Sequence, residues 1–312
     1  MSKSAIQPVS LTLLDSDPAA FADGLGASFG RHGFAVVADH RLDATRLNAA
    51  LADAKAFFAL PDAAKRRYQL AGGGGQRGYT PLRTETAKGA TQADLKEFWH
   101  VGRDLPPGHV FRAAMPDNVW PIEISGFRDN QTWLFTALER LGQSLMSAIA
   151  RYLFVEAADF AAATADGNSV LRLVHYPPPM TDDGAVRAGA HEDINAITLL
   201  LGAEEAGLEI LDRDGRWLAI NPPPGAVVVN IGDMLARLTN DVLPSTTHRV
   251  VNPTPERMGV ARYSTPFFLH FRPDYLIETL PGCVTPDRPN RYPTPIRASD
   301  FLARRLREIK LA

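Results

Sequence analysis

The chain has a single cysteine, Cys283, in 312 residues. That excludes an internal disulfide framework and a zinc site built from several thiolates. No apolar run approaches the roughly 20 residues that a membrane-spanning helix requires. The opening residues, Met-Ser-Lys-Ser-Ala-Ile-Gln-Pro-Val-Ser, lack the apolar centre of a signal peptide. Charge of one sign is missing too: 33 Lys and Arg stand against 35 Asp and Glu, a formal net charge of −2. No basic tract is long enough to follow a phosphate backbone. The expectation is a cytoplasmic protein with neither a membrane nor nucleic acid as partner.

What the chain does contain is an ordered change of texture. Phe21, Leu25 and Phe29 recur at spacing four between Pro18 and His32, which predicts a helix ending near Gly33. Phe34 to Val37 follows as a short strand. Asp43 is a plausible N-cap for a second helix carrying Leu47, Leu51, Ala54 and Phe58, which Pro61 breaks. A long helical pattern runs from Phe127 through Phe154, with Leu134, Leu138, Leu141, Leu145, Ile149 and Leu153 on its stripe. From Ser169 onward come short apolar runs separated by Pro, Gly, Asn and Asp: 170–176, 194–201, 208–211, 217–220 and 226–231. A longer strand is expected over 257–271 and a closing helix over 298–310. Many short strands with turns between them argue for a sandwich or barrel. Residues 1–120 are expected to form an N-terminal α/β region that completes the fold. Residues 121–312 supply the long helix, the strand-built core and the C-terminal helix of the same compact unit.

Two stretches carry chemistry. In an extended strand alternate side chains share a face, so His191 and Asp193 point one way and Glu192 the other. His248 lies in a β-branched run, Ser245 to Val251, that reads as another strand. Two imidazoles and one carboxylate on one side of a metal leave the opposite positions open. Non-haem Fe(II) oxygenases use that facial arrangement, whereas structural zinc sites fill all four positions. Arg262 and Ser264 lie one pleat apart, so they share a face, where Arg262 could bind a carboxylate ligand or pair with an inward acid. The glycines of 71–75 form a loop rather than a phosphate cradle, because no Gly-Lys-Ser/Thr follows. Gln76 to Pro81 and Asp94 to His100, dense in polar and aromatic groups, fit a pocket rim or a solvated connection with packed rings.

The ordered set His191-x-Asp193, His248 and Arg262-x-Ser264 resembles the isopenicillin N synthase-like Fe(II)/2-oxoglutarate-dependent dioxygenases. Leu171 to Pro177, Ile231-Gly232-Asp233, Leu238 to Asp241, His248-Arg249-Val250 and Arg262-Tyr263-Ser264 leading into Phe267-Phe268 agree with that family. Gly78-Tyr79 and Asp94-x-Lys96-Glu97 extend the likeness into the first half. Val174 and Glu192 depart from the family's frequent Asn and Thr. The resemblance implies a mainly β fold with surrounding helices: a double-stranded β-helix, or jelly-roll, core with a helical N-terminal region.

It also implies that His191, Asp193 and His248 hold Fe(II), that Arg262 and Ser264 bind the distal carboxylate of 2-oxoglutarate, and that Tyr176 lies near its metal-bound end. The activity implied is oxidation, most commonly hydroxylation, of a small-molecule C–H bond with O₂, releasing succinate and CO₂. An Fe(II)/O₂ oxidase independent of 2-oxoglutarate and a non-catalytic metal-binding β-sandwich are the alternatives. Arg77, Tyr79, Arg83 and Arg172 are the candidates for substrate contact, and the three arginines suggest an acidic substrate. His32, His40, His100, His109, His175 and His270 show no ligand spacing and are expected at the surface or satisfied in the core. Asp233 is expected to cap or turn the chain.

Overall fold

Aspartates set both early helices: the side chain of Asp17 accepts the Ala20 N–H, and that of Asp43 accepts the Arg46 N–H. The first helix stops at Gly33, whose φ of +67° suits glycine; a Cβ there would fall 2.1 Å from the Thr246 hydroxyl. The computed structural model describes residues 6–70, 75–86, 93–178, 186–201, 207–253 and 259–308. The strands are β1 (Pro8–Ser10), β2 (Phe34–Ala38), β3 (Gly78–Thr80), β4 (Glu97–Gly102), β5 (Val170–Tyr176), β6 (Ala188–His191), β7 (Ile197–Leu201), β8 (Leu208–Leu211), β9 (Trp217–Ala219), β10 (Val227–Ile231), β11 (His248–Val250), β12 (Arg262–Leu269), β13 (Leu276–Ile277) and β14 (Ile296–Arg297). The helices are α1 (Leu13–Ser16), α2 (Pro18–His32), α3 (Ala44–Phe58), α4 (Asp62–Arg66), α5 (Phe127–Tyr152), α6 (Ala157–Thr164), α7 (Asp233–Leu238) and α8 (Ala298–Glu308).

Eight strands form one sheet in the order β1-β2-β10-β7-β12-β5-β4-β3, and a smaller sheet runs β6-β11-β8-β9. Strands from both sides of position 120 therefore share the large sheet. Alternation gives its strands two apolar faces. Ala35, Val37, Leu171, Leu173, Val227, Val229, Phe267 and Leu269 join the main core with residues of α2, α3 and α5. The intervening Phe34, Val36 and Val228 pack instead against Leu208 and Ile210 of the small sheet. Phe98, Val174 and Tyr176 likewise pack with Ala188 of β6 and Val250 of β11. The result is the jelly roll that the resemblance implied, with helices covering its outer face.

The differences from the sequence expectations are local. The strand expected over 194–201 starts at Ile197, and that over 257–271 is ordered as Arg262–Leu269, with 254–258 outside the described residues. Residues 71–74 of the glycine run and 309–310 of the closing helix also lie outside them. The long helix ends at Tyr152, short of Phe154, whose φ is +57°. Helices α1, α4, α6 and α7 were not expected. Among the described residues no helix is long and apolar enough to cross a membrane.

One polar knot inside the apolar layer holds the first half onto the second. Glu97 of the fully buried β4 accepts hydrogen bonds from Lys65 (2.8 Å) and Tyr79 (2.5 Å) through Oε2, and its Oε1 lies 2.7 Å from Nδ1 of His175. Each partner comes from a different element. Removing the carboxylate strands the buried ammonium of Lys65, a class of change that costs about 3–5 kcal/mol. Glu97→Gln is expected to lower the urea midpoint accordingly, and an unchanged midpoint would show that Lys65 is solvated or held elsewhere.

Candidate active site

The two histidines are cross-strand neighbours. β6 and β11 run antiparallel with His191 directly opposite His248, and their rings lie 4.4 Å apart. Nδ1 of His191 lies 2.7 Å from the Gly189 carbonyl, and Nδ1 of His248 lies 3.1 Å from the Thr246 carbonyl. Carbonyls only accept, so each Nδ1 carries a proton, and each Nε2 is the ring atom left on the side of Asp193. Asp193 Oδ1 stands 3.9 Å from both Nε2 atoms, too far for hydrogen bonds. The three ligand atoms lie within 4.8 Å of one another.

Asp193 reaches this point by a different local route from the one the alternation suggested. β6 ends at His191. The Asp193 carbonyl accepts the Asp233 N–H, and the carbonyls of Asn195 and Ala196 take those of Met234 and Gly232. The 193–196 segment is thus bonded to the start of α7, which delays β7. That approach requires Gly232, since a Cβ would lie 2.2 Å from the Asn195 carbonyl oxygen. Asp233, expected as a cap or turn, opens α7, and its carboxylate pairs with Arg305 at 3.1 Å.

The large sheet orients the Asp193 carboxylate. Thr198 of β7 donates to Oδ2 at 2.5 Å and Asn230 of β10 donates at 2.8 Å, which leaves Oδ1 for the imidazoles' side. Burial opposes the charge on Asp193, but the two histidines and these hydrogen bonds hold its carboxyl below the usual range. Burial first, then the neighbouring His248, pushes His191 down to about 4. Two imidazoles bonded through Nδ1 and one ionised carboxylate bonded through Oδ2 fit a divalent first-row metal such as Fe(II).

A cavity of about 280 Å³ opens beside His191 and Asp193. Arg172, expected as a possible substrate contact, does line it, but its guanidinium is engaged. It donates to Nε2 of His100 at 2.6 Å and to Glu85 at 3.0 Å, and it stacks over Phe98 and Phe268. Lys96 pairs with Asp94 at 2.8 Å and Glu85 at 3.4 Å. Burial opposes ionisation of Glu85, yet Arg172 and Lys96 hold it down to about 2. Burial and Arg172 keep His100 neutral, well below its ordinary value.

The other three substrate candidates do not line this cavity. Arg77 is buried, donating to the carbonyls of Pro116 and Gln76; Tyr79 is buried on Glu97; Arg83 is exposed at a φ of +59°.

β12 and β5 pair antiparallel with Arg262 opposite Tyr176, Ser264 opposite Val174 and Phe268 opposite Val170. Arg262 and Ser264 are both buried on the face toward the small sheet, and the guanidinium lies 5.0 Å from the Tyr176 ring centre. A buried guanidinium beside a hydroxyl on that face suits one end of a dicarboxylate. Among the cavity residues that the sequence reading did not single out are Asn168 and His270, both more than nine-tenths buried. Oδ1 of Asn168 and Nδ1 of His270 have no hydrogen-bond partner among the described residues, and burial holds His270 neutral, at about 4. His270 is therefore neither a surface nor a satisfied core histidine.

Jelly-roll sheets around a His-Asp-His cluster define a metal-dependent oxygenase scaffold. Residues 167–271 match the family profile of the 2OG-Fe(II) oxygenase superfamily, and residues 6–123 match that of the non-haem dioxygenase N-terminal region, described for morphine synthesis. The chain is 33% identical over 282 residues to the 2-oxoglutarate-Fe(II) type oxidoreductase hxnY of Emericella nidulans, covering 87% of this chain and 79% of that one. A crystal structure of a 2OG-Fe(II) oxygenase family protein from Caulobacter crescentus is 62% identical and superposes with a TM-score of 0.92, covering 98% of this chain and all of that one. A full-length Neurospora crassa protein, solved in complex with α-KG, gives 28% identity and a TM-score of 0.86, covering 98% and 97%. The chain belongs to the 2OG-Fe(II) oxygenase superfamily. It is an Fe(II)- and 2-oxoglutarate-dependent dioxygenase that oxidises a small molecule with O₂.

Loss of an outer hydrogen bond to a metal ligand typically weakens metal affinity by about 10–100-fold. Thr198→Val and Asn230→Leu are each expected to weaken Fe(II) binding in that range by equilibrium dialysis. Unaltered affinity in both would mean that Asp193 does not ligate through the oxygen assigned.

Proposed function

We propose that His191, Asp193 and His248 hold Fe(II), that Arg262 and Ser264 bind the distal carboxylate of 2-oxoglutarate, and that Tyr176 lies near its metal-bound end. The observation that carries this reading is the convergence of three ligand atoms within 4.8 Å, each with its other polar atom already bonded. Bound there, iron and 2-oxoglutarate supply the redox chemistry with O₂, and succinate and CO₂ are the co-products. The chain's own residues position and shield. Gly189 and Thr246 fix the tautomers, and Thr198 and Asn230 fix the carboxylate. The Arg262 guanidinium fixes one end of the cosubstrate, so that its other end is directed toward the histidines. The cavity beside His191 then receives the substrate, and hydroxylation of a C–H bond is the outcome we assign. A reducing cytoplasm suits both the single thiol and ferrous iron.

An acidic substrate finds little support in the arginines that suggested it: Arg77 is held by carbonyls, Arg83 is exposed and Arg172 is paired with Glu85. The Neurospora crassa protein has been solved with thymine and with 5-formyluracil, which supports a small-molecule substrate for this chain.

Anaerobic addition of Fe(II) and 2-oxoglutarate is expected to give a weak visible charge-transfer band, and a folded protein that never develops it would lose the assigned cosubstrate site. Asp193→Ala should abolish succinate formation in the absence of prime substrate, while continued formation would place the iron elsewhere. Arg262→Ala should raise the 2-oxoglutarate requirement about 10–100-fold, the loss expected for a charge-assisted pair.

A further inference from the structure

The ladder of β12 with β5 ends at Phe268 and Val170, and the two chains stay close beyond it: a Cβ on Gly167 would fall 2.1 Å from the His270 carbonyl oxygen. Continuing the register two residues past Phe268 and Val170 sets His270 opposite Asn168, and the His270 N–H bonds the Ser169 hydroxyl at 3.2 Å. Residues directly opposite share a face. Asn168 and His270 therefore stand on the face that carries Arg262 and Ser264, with Phe268 and Val170 between. They also lie where two cavities meet: both line the cavity beside the histidines, and both line a second one of about 180 Å³ under α8.

Buried polar side chains with no partner are costly to keep, of order 1–3 kcal/mol each. Here Oδ1 of Asn168 and Nδ1 of His270 are such atoms. A neutral imidazole offers one donor and one acceptor, and a carboxamide offers both kinds too. An anion would use only the donors and face the acceptors. The charged wall points the same way. Each cation lining the main cavity among the described residues already has a carboxylate: Arg172 has Glu85, Lys96 has Asp94, and Arg305 has Asp233.

We propose that Asn168 and His270 are specificity-determining residues that bind the prime substrate, and that this substrate is an uncharged small molecule carrying adjoining N–H and C=O groups, as in an amide, lactam or imide. The inference rests on the metal-site reading above, since the pair lines the same cavity as His191 and Asp193. Substrate is read by reciprocal hydrogen bonds rather than by charge, and small turns of the amide and ring present their orphan atoms to it.

The test uses the full chain loaded anaerobically with Fe(II) and 2-oxoglutarate, and two matched probe pairs: uracil against orotate, and nicotinamide against nicotinate. Failure of the visible band to form before any probe is added would sink the metal-site reading itself. With the band present, a neutral probe is expected to perturb it and its charged counterpart is not. His270→Leu and Asn168→Leu should each weaken that neutral probe about 10–100-fold, with His270→Gln falling between wild type and His270→Leu. Since Leu replaces an unsatisfied buried group, the unfolding midpoint of His270→Leu should hold or rise, whereas a merely structural histidine would lower it. The assignment is overturned if the carboxylates bind better, if neither neutral probe perturbs the band at millimolar concentration, or if both Leu variants keep wild-type affinity.

Discussion

The division of labour within one carboxylate governs the site. Asp193 gives Oδ2 to Thr198 and Asn230 of the large sheet and leaves Oδ1 facing two imidazoles from the small sheet. The His-Asp-His cluster therefore straddles the interface between the sheets, and its three atoms converge only when both are docked. Apolar packing supplies that docking: Phe34, Val36 and Val228 meet Leu208 and Ile210 at one end, while Val174 and Tyr176 meet Ala188 and Val250 at the other. Ala188 begins the strand that ends in His191, and Val250 ends the strand that begins at His248. Hydrophobic contact and ligand placement are thus carried on the same two short strands.

A second constraint is register. On β12 the inward Arg262 and Ser264 are buried toward the small sheet while the outward Phe267 and Leu269 sit in the core behind the sheet, with Phe135 of α5 packed edge-on to Phe267 at 5.1 Å. A one-residue slip would exchange those sets, exposing two large apolar side chains to the cavity and burying a guanidinium among hydrophobes. The long helix therefore fixes the order along the front of the sheet, from Arg262 and Ser264 through Phe268 to His270. Its apolar stripe protects a function that none of its own residues performs.

The same logic explains what was legible in the sequence. Helices α2, α3 and α5 span several turns, so their 3.6 period shows, whereas α1, α4 and α7 are too short to display one, and the run of alanines in α6 gives no contrast between faces. Short spacings carried the ligands: His191-x-Asp193 and Arg262-x-Ser264 place side chains together whether the backbone is a strand throughout or, at Asp193, has just left one. Polar residues satisfied at long range were opaque. Tyr79 and Arg77 read as pocket-facing because their composition matches a pocket rim, and only the fold brings Glu97 to Tyr79 or the Pro116 carbonyl to Arg77. Asn168 and His270 fail in the opposite direction. Each stands just beyond the end of a strand, and only the fold brings both to one cavity.

The charged wall has a physical role that its ion pairs alone do not explain. Burying Glu85, Asp94, Lys96 and the Arg172 guanidinium stabilises the fold little, because desolvation consumes most of the Coulombic gain. What the network secures is immobility and neutrality. Arg172 is held by Glu85, by His100, whose own Nδ1 is tied to the Gly75 carbonyl at 2.5 Å, and by the rings of Phe98 and Phe268. A guanidinium fixed in this way forms a rigid part of the cavity wall while its charge is met by Glu85. Were the wall positive, it would draw in carboxylates, 2-oxoglutarate among them. Among the described residues each cation lining the outer cavity is matched by a carboxylate, so that cavity offers little net positive charge to an anion.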